Sequence, residues 1–310
     1  MKIAVMGSGA VGGYFGAKLA ADDQNEIAFI ARGAHLAAMR KQGLVIKRAE
    51  GDLVIRKARF TADPAEVGAV DLVLFAVKSY DTDAVAQTLA PMIGAETTVL
   101  SLQNGIDNPE KIARLFGAER TLAGVVYVGS AIAGPGVIEY STGGRIIFGT
   151  VDGKLGASVD RVARILESAA VPHEISSNIR KVQWRKLLWN ASFCAISSLV
   201  HATMEEIMAS DALCQLSVDC MEEVRAAAAV AGIELEPELI QETMNFSRTL
   251  GSFKPSMLQD LEAAKPLEYE AFNGIVVQQL SRVGQAAPIN SVFESALKFV
   301  DGRIRAHGKG

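Results

Sequence analysis

Short apolar segments alternate with helix-like segments along the first half of the chain. Strands are expected at residues 2–6, 26–31, 71–77 and 97–102, with a helix at residues 11–21. The last two strands are continuous apolar runs without polar alternation, which is expected where both faces of a strand are buried. Strands that alternate with helices indicate a mostly parallel sheet with helices on both sides.

Further segments are predicted to extend this sheet. Residues 44–48 and 53–57 flank a Glu-Gly-Asp turn at residues 50–52, which predicts a hairpin appended to the sheet. Residues 120–128 and the pair of segments 137–140 and 145–148 are expected to add strands. A helix is predicted over residues 154–170 and a last strand over residues 171–175.

The pattern changes after about Ser177, where helical periodicity replaces strands. One Ala-rich helix is predicted over residues 217–231, and Gly232 then ends it as a C-terminal cap. The chain is therefore expected to form an α/β domain at residues 1–177 and an all-helical domain at residues 178–310. The cleft between two such domains is the expected ligand site.

Composition narrows the classes of function. The chain has 310 residues, 49% hydrophobic and 21% charged, with a net charge of −4. This balance is typical of a globular protein and argues against nucleic-acid or membrane partners. Cys194, Cys214 and Cys220 are too scattered for a disulfide framework or a metal site, so no metal is expected. No apolar run is long enough to span a membrane and no targeting segment is evident, so the expected location is the cytoplasm.

A glycine-rich motif follows the first predicted strand and opens the first predicted helix. Its residues are Gly7, Ser8, Gly9, Ala10, Val11 and Gly12. In the pattern GxGxxG, the first glycine allows a tight turn and the second lets the backbone approach a pyrophosphate. The third lets helix and strand pack closely, and the helix N-terminus attracts the phosphates. The motif predicts a Rossmann dinucleotide-binding domain with a doubly wound sheet.

Arg32 indicates which dinucleotide is bound. NAD-binding domains of this type usually carry an acidic residue about twenty residues beyond the glycines, where it binds the ribose 2′-hydroxyl. Here that position holds Arg32, at the end of the second predicted strand. A guanidinium would bind a 2′-phosphate. The expected cofactor is therefore NADP(H).

Polar residues mark three further positions. Lys78 and Asn104 each follow a buried strand, at the end where ligands bind in open α/β sheets. Asn104 precedes a glycine, so simple turn formation is an alternative interpretation. Lys186 and Asn190 are four residues apart on a predicted helix and therefore share one face. A solvated surface lysine is the alternative there.

Together these segments resemble the ketopantoate reductase (2-dehydropantoate 2-reductase) family, within the 6-phosphogluconate dehydrogenase-like superfamily. The matching segments, in order, are GSGAVGG, Arg32, FAVKSYD, LQNG, WRKLLWN and PSMLQD followed by Glu268. The resemblance covers nearly the whole chain and implies a helical second domain of the 6-phosphogluconate dehydrogenase-like type. It also implies NADPH-dependent reduction of 2-dehydropantoate to pantoate, in pantothenate biosynthesis.

The resemblance implies a role for each candidate residue. Lys186 would hydrogen-bond the substrate carbonyl oxygen and deliver the proton, and Glu268 would orient that ammonium and the substrate hydroxyl. Asn104 would bridge cofactor and substrate, and Lys78 would lie near the cofactor phosphate or the substrate entrance. Asn190 would bind substrate oxygens and Ser256 the substrate carboxylate.

Two departures from the family pattern keep alternatives open. Cys194 and Phe253 stand where family members commonly carry substrate-binding asparagines, which leaves open another branched or aromatic oxo acid as substrate. A non-catalytic NADP(H)-binding sensor is a second alternative, disfavoured because a sensor would not need both Lys186 and Glu268. The Ala-rich segment 226–231 indicates close helix packing, either within the chain or in a homodimer.

Overall fold

The computed structural model describes residues 1–307 of the chain. These residues form two compact units, one spanning Met1–Ile179 and the other running from Arg180 onward. The first unit contains a sheet with flanking helices, and the second is helical.

The first unit consists of ten strands and five α-helices, with short 3-10 turns between some of them. In chain order these are β1 (Lys2–Met6), α1 (Ala10–Ala20), β2 (Glu26–Ile30), α2 (Gly33–Gln42), β3 (Leu44–Lys47), β4 (Leu53–Ile55), β5 (Arg59–Thr61), β6 (Val70–Phe75), α3 (Thr82–Gln87), β7 (Ile93–Ser101), α4 (Asn108–Phe116), β8 (Thr121–Gly134), β9 (Val137–Thr150), α5 (Ala157–Ser168) and β10 (His173–Ile175).

The strands form one mostly parallel sheet in the order β4-β3-β9-β8-β7-β6-β1-β2-β5, and β10 also pairs with β9. The pairs β1–β2, β1–β6, β6–β7 and β7–β8 are parallel, whereas β8–β9 and β3–β4 are antiparallel. The chain passes from β1 to one side and returns to its other side through β6, as in a doubly wound sheet. The predicted Rossmann fold is thereby confirmed.

Both faces of the central strands are buried, as their continuous apolar sequence predicts. Along β6, Leu72 and Leu74 pack into the cluster on one face of the sheet, whereas Val73 and Phe75 pack into the cluster on the other. All four side chains are 0% exposed. Successive strand residues point to opposite faces, so residues 72–75 of β6 must be apolar on both faces.

Several details of the sheet differ from the sequence-based expectation. Segments 137–140 and 145–148 are not a pair of strands but parts of the single strand β9. That strand pairs with β8 along its length, with register shifts on the β8 side between residues 127 and 134. Gly143 and Gly144 allow this interruption because both have positive φ, +81° and +106°. The pattern also missed α2, α3, α4 and β5, whereas the predicted hairpin is present as β3 and β4.

The second unit contains α-helices interrupted by two π-helical turns, and no strand occurs between residue 180 and residue 307. The elements are α6 (Ile179–Trp189), a π-helical turn (Asn190–Cys194), α7 (Ala195–Val200), α8 (Met204–Met208), α9 (Asp211–Val230), α10 (Glu238–Arg248), α11 (Ser256–Glu262), a second π-helical turn (Glu270–Gly274), α12 (Ile275–Ser281) and α13 (Pro288–His307).

The Ala-rich end of α9 packs within the chain. Ala227 and Ala228 are both 0% exposed, so close helix packing inside the unit accounts for these two residues. Gly232 follows the helix with φ +76°, a left-handed conformation that suits glycine at a helix end. The homodimer stays a prediction.

Candidate active site

The carboxyl ends of the central strands lie level at one edge of the sheet. The amide of Ala76 donates to the carbonyl oxygen of Met6 over 2.9 Å, and the amide of Leu102 donates to the carbonyl oxygen of Phe75 over 2.8 Å. The segments that leave β1, β6 and β7 therefore start side by side. Gly7, Lys78 and Asn104 all follow at this edge, where open α/β sheets bind their ligands.

The three motif glycines of the glycine loop (residues 7–12) differ in what surrounds them. Gly7 has φ +94°, and a Cβ there would lie 2.8 Å from the backbone nitrogen of Val77. A Cβ on Gly12 would lie 2.2 Å from the carbonyl oxygen of Gly7. A Cβ on Gly9 would meet nothing within 4 Å. Fold geometry thus requires the outer glycines, while the space over Gly9 fits an approaching pyrophosphate.

The start of α1 adds hydrogen-bond donors to this loop. Gly9 is the N-terminal cap of α1 and provides no side-chain hydrogen bond. The first turn of any helix has backbone N–H groups without intrahelical acceptors. Ala10 and Val11 begin this turn, and both are partly exposed. The donors and the positive end of the helix dipole suit a bound phosphate.

His35 fastens the glycine loop, a contact that the sequence analysis missed. Its Nε2 lies 2.9 Å from the carbonyl oxygen of Ser8, and the amide of Gly136 donates to its Nδ1 over 3.1 Å. The hydroxyl of Ser8 in turn donates a hydrogen bond to the carbonyl oxygen of Ile30 over 3.0 Å. Gly136 is 101 residues from His35. No local sequence signal could have found this arrangement.

The remaining predicted cofactor residues have different degrees of exposure. Arg32 is exposed and directly precedes α2, so its side chain is accessible from solvent near the end of β2. Lys78 and Asn104 are both partly buried. The carbonyl of Asn104 accepts a hydrogen bond from the side chain of Asn108 over 2.7 Å, which holds the turn after β7.

In the helical unit, three residues recur at intervals of four. Lys186 lies in the last turn of α6, while Asn190 and Cys194 are the first and last residues of the π-helical turn that follows. Lys186 is partly buried, Asn190 is 5% exposed and Cys194 is 0% exposed. π-Helical turns are rare and frequently mark functional sites.

The structure brings Lys186, Ser256 and Glu268 together around Cys194. Burial lowers the pKa of Lys186 from its ordinary 10.5 to about 8, against the opposing charges of Cys194 and Glu268. Burial also raises the pKa of Cys194 to about 12, partly offset by hydrogen bonds from the backbone of Met257 and the side chain of Ser256. The thiol is therefore neutral at physiological pH, whereas the Lys186 ammonium can exchange its proton there.

Glu268 lies on a segment that the fold holds firmly. Glu268 itself is 5% exposed. The preceding amide, that of Leu267, donates to the buried carboxylate of Asp301 on α13 over 2.8 Å. A buried carboxylate beside a partly buried ammonium can stabilise it and fix its orientation.

Two family models match the chain in succession. The model described as "Ketopantoate reductase PanE/ApbA" matches residues 3–153, and its C-terminal counterpart matches residues 178–301. A 2-dehydropantoate 2-reductase of Mesorhizobium japonicum is 31% identical over 303 residues, covering 91% of this chain and 92% of that protein. The chain belongs to the ketopantoate reductase family. It is accordingly an oxidoreductase.

Solved structures of a family member and of a more distant protein have the same fold. A PanE/ApbA family ketopantoate reductase of Ralstonia eutropha JMP134 superposes with a TM-score of 0.90 at 31% identity, over 98% of this chain and 100% of that one. A D-mandelate dehydrogenase solved with NADH and anilino(oxo)acetate has a TM-score of 0.91 at 22% identity, over 98% and 99% of the two chains. At that identity the likeness concerns the fold alone.

Phe253, one of the two departures from the ketopantoate reductase pattern, is part of an aromatic cluster. Its ring centroid lies 6.3 Å from that of Trp189, which in turn lies 5.8 Å from Phe193. Trp189 and Phe253 are both partly buried. Phe253 thus adds apolar surface beside the helix that carries Lys186 and Asn190.

No helix within residues 1–307 has the length and apolar character needed to cross a membrane. The same residues contain no cluster of three or more His, Cys, Asp or Glu side chains that could hold a metal ion.

Proposed function

We propose that this ketopantoate reductase family member reduces the ketone of a 2-oxo acid with NADPH, and that 2-dehydropantoate, reduced to pantoate in pantothenate biosynthesis, is its substrate. The observation that carries the proposal is the partly buried ammonium of Lys186 beside Glu268, with a pKa of about 8. Ketone reduction needs one proton for every hydride, and a group with this pKa can supply it at neutral pH.

The first unit would bind the cofactor. The backbone of the glycine loop and the first turn of α1 would hold the pyrophosphate, because the space over Gly9 is open and the helix end offers donors. Arg32 would bind the 2′-phosphate, a role supported by its exposure and by the absence of a carboxylate at this position. Lys78 and Asn104, at the carboxyl ends of β6 and β7, would contact the rest of the cofactor.

The second unit would supply the proton and hold the substrate. A bound nicotinamide would provide the hydride. Lys186 would hydrogen-bond the ketone oxygen and transfer its proton as negative charge develops there, while Glu268 keeps the ammonium in place. Asn190 would bind substrate oxygens and Ser256 the substrate carboxylate. The side chain of Ser256 lies close enough to Cys194 to hydrogen-bond its sulfur.

The test is a panel of 2-oxo acids with NADPH oxidation as the readout. We expect 2-dehydropantoate to give the highest kcat/KM, with pantoate as the identified product. Lys186→Ala should lower this turnover about 10²- to 10⁴-fold. If the wild-type protein reduces other 2-oxo acids well and 2-dehydropantoate poorly, the specific substrate is wrong while the reaction class stands.

A second candidate is the reduction of another branched or aromatic oxo acid. The specific observation in its favour is that less polar residues stand at two positions where family members commonly carry asparagine. Cys194 is a buried neutral thiol, and Phe253 packs on Trp189. A neutral thiol replaces the strong hydrogen bonds of an asparagine with weak ones. This candidate predicts that 2-oxo acids with bulky apolar side chains exceed 2-dehydropantoate in kcat/KM.

A sensor that binds NADP(H) without turnover is the third candidate. It predicts cofactor binding by the wild-type protein and no reduction of any 2-oxo acid in single-turnover experiments. The presence of Lys186 and Glu268 together argues against it, because ligand recognition alone does not need a proton donor with a carboxylate beside it.

A further inference from the structure

The two proposed catalytic residues each precede a π-helical turn. Lys186 comes four residues before the turn Asn190–Cys194, and Glu268 comes two residues before the turn Glu270–Gly274. Such turns are uncommon, and each widens its helix locally so that the ordinary i to i+4 pattern of hydrogen bonds is broken. Backbone carbonyls in a buried turn of this kind need hydrogen-bond donors from elsewhere.

One side chain joins the two turns. Asn273, which is 0% exposed, lies in the second turn, and its Nδ2 donates to the carbonyl oxygen of Ala191 in the first turn over 2.8 Å. The same amide nitrogen also donates to the Oδ1 of Asn290 over 2.9 Å. Its Oδ1 is buried and has no hydrogen-bond partner among residues 1–307. A buried unpaired acceptor is costly. The contribution of Asn273 to the structure therefore comes from the two hydrogen bonds that its Nδ2 donates.

A chain of polar groups fixes the direction of this amide. The carboxylate of Glu223 on α9 accepts hydrogen bonds from the backbone amides of Ile289 and Asn290, each over 2.9 Å. It also accepts one from the Nδ2 of Asn290 over 2.7 Å. Because the contact with Glu223 uses the NH₂ group of Asn290, the Oδ1 atom of Asn290 must face Asn273. Asn273 can then present only its own NH₂ group to Asn290 and to Ala191.

We propose that Asn273 is a positioning residue of the reaction, whose hydrogen bond to Ala191 holds the two π-helical turns together and so sets Lys186 against Glu268. The inference rests on the proposed function. The segment of Glu268 is held on its other side by the contact between Leu267 and Asp301, so Asn273 supplies the second anchor. With that anchor lost, the backbone that carries Glu268 can move away from the helix that carries Lys186.

The consequence is measurable at Lys186 itself. The titratable groups whose charges act on its ammonium are Cys194 and Glu268, and burial opposes both. Cys194 is neutral at physiological pH because burial raises its pKa to about 12, so Glu268 is the charge that supports protonation. Moving Glu268 away leaves the burial of Lys186 unopposed, and the pKa of the lysine falls.

The experiment measures the pH dependence of Lys186 labelling by an amine-reactive reagent, read by mass spectrometry on the full-length protein. This readout needs no substrate or turnover. We expect the apparent pKa of Lys186 in Asn273→Ala to fall by about 1 unit or more, the size expected on losing a nearby opposite charge. Glu268→Gln should give a similar fall, and the double variant no further fall, because both act through the same contact.

Two additional variants separate positioning from general loosening. Asn273→Ser keeps one short donor and should give a smaller shift, and it carries the test if Asn273→Ala does not fold. Met244→Ala removes a side chain that is 3% exposed on α10, which packs on α8 and α9, and it should lower Tm without moving the pKa of Lys186. An unchanged pKa in a folded Asn273 variant, or an equal shift in Met244→Ala, overturns the inference.

Turnover separates the inference from the function on which it rests. If the wild-type protein reduces no 2-oxo acid, the proposed function fails, whereas the labelling result still decides the role of Asn273. If the wild-type protein is active, the alkaline limb of its kcat profile for reduction should move to lower pH in the Asn273 variants, with the cofactor KM unchanged.

Discussion

The imidazole of His35 donates its Nε2–H to the carbonyl oxygen of Ser8 over 2.9 Å. The direction of this hydrogen bond follows from the other ring nitrogen, which receives the backbone N–H of Gly136 over 3.1 Å. Since an N–H group can only donate, Nδ1 must be the acceptor and the proton must lie on Nε2. The neutral ring thereby connects the glycine loop to the turn between β8 and β9.

Two substitutions at His35 should separate its two contacts. In His35→Gln the terminal amide can still donate to Ser8, whereas in His35→Asn the shorter amide reaches only Gly136. We expect His35→Asn to raise the KM for NADPH about 2- to 12-fold, the effect of one lost hydrogen bond. His35→Gln should stay near the wild-type KM. Steady-state kinetics at saturating substrate measures both, and equal KM values in the two variants would contradict the role of the Ser8 contact.

Arg32→Ala should weaken NADPH binding far more than NADH binding. A charged hydrogen bond to a phosphate contributes about 1.5–3 kcal/mol, so the Kd for NADPH should rise about 10- to 150-fold. Lys41→Ala is the matched control, because Lys41 is an exposed cation at the other end of α2. Fluorescence titration with both cofactors gives the comparison. The same loss for NADPH and NADH would refute binding of the 2′-phosphate by Arg32.

Two Gly→Ala variants of the glycine loop should differ in which property they affect, Gly12→Ala mainly stability and Gly9→Ala mainly cofactor binding. Gly12→Ala places a methyl group 2.2 Å from the carbonyl of Gly7, so it should lower the free energy of unfolding by about 1–3 kcal/mol. Gly9→Ala meets open space and should lower it by less than about 1 kcal/mol, yet it should weaken NADPH binding roughly tenfold or more. Urea unfolding and cofactor titration test the pair. Unchanged cofactor affinity in Gly9→Ala would show that no phosphate approaches this position.

With Lys186 as the proposed proton donor, its pKa should set the pH dependence of turnover. Reduction would then require the protonated amine, so kcat for 2-oxo acid reduction should be constant below the pKa of about 8 and fall as pH rises through it. Oxidation of the 2-hydroxy acid requires the neutral amine and should rise over the same range. Stopped-flow rates in both directions test this sign.

Lys186→Ala should remove this pH dependence and lower kcat about 10²- to 10⁴-fold, with NADPH binding nearly unchanged. Arg185→Ala is the neighbouring control, since Arg185 is exposed and pairs with Glu242 over 2.8 Å. It should retain both the rate and the pH profile. A Lys186→Ala protein with substantial turnover would exclude this lysine as the proton donor.

Much of the first unit could be predicted from its sequence because the information there is local. Apolar runs mark the buried centres of β6 and β7, since a strand covered on both faces is mostly apolar. The spacing of Gly7, Gly9 and Gly12 reflects contacts within a single strand-turn-helix segment. In contrast, β5 has three residues and α2 has a mixed face, so neither has a periodic signal of sufficient length.

The parts that could not be predicted depend on residues far apart in the sequence. The contact between His35 and Gly136, the hydrogen bond from Ser256 to Cys194, and the one from Asn273 to Ala191 all form only after tertiary packing. Family resemblance pointed to Lys186 and Glu268, but it does not supply their electrostatic environment. Whether a lysine is a solvated charge or a proton donor with a lowered pKa depends on its burial.

The π-helical turn at Asn190–Cys194 places one residue more in its hydrogen-bonded ring than an α-helical turn does. Each residue rotates a helix by about 100°, so α6 and α7 are out of rotational phase although they run on continuously. Deleting a single residue here would restore an uninterrupted α-helix and swing Lys186 about a third of a revolution away from the side chains on α7. The number of residues between 190 and 194, more than their identity, therefore determines which face of α6 turns toward the side chains of α7.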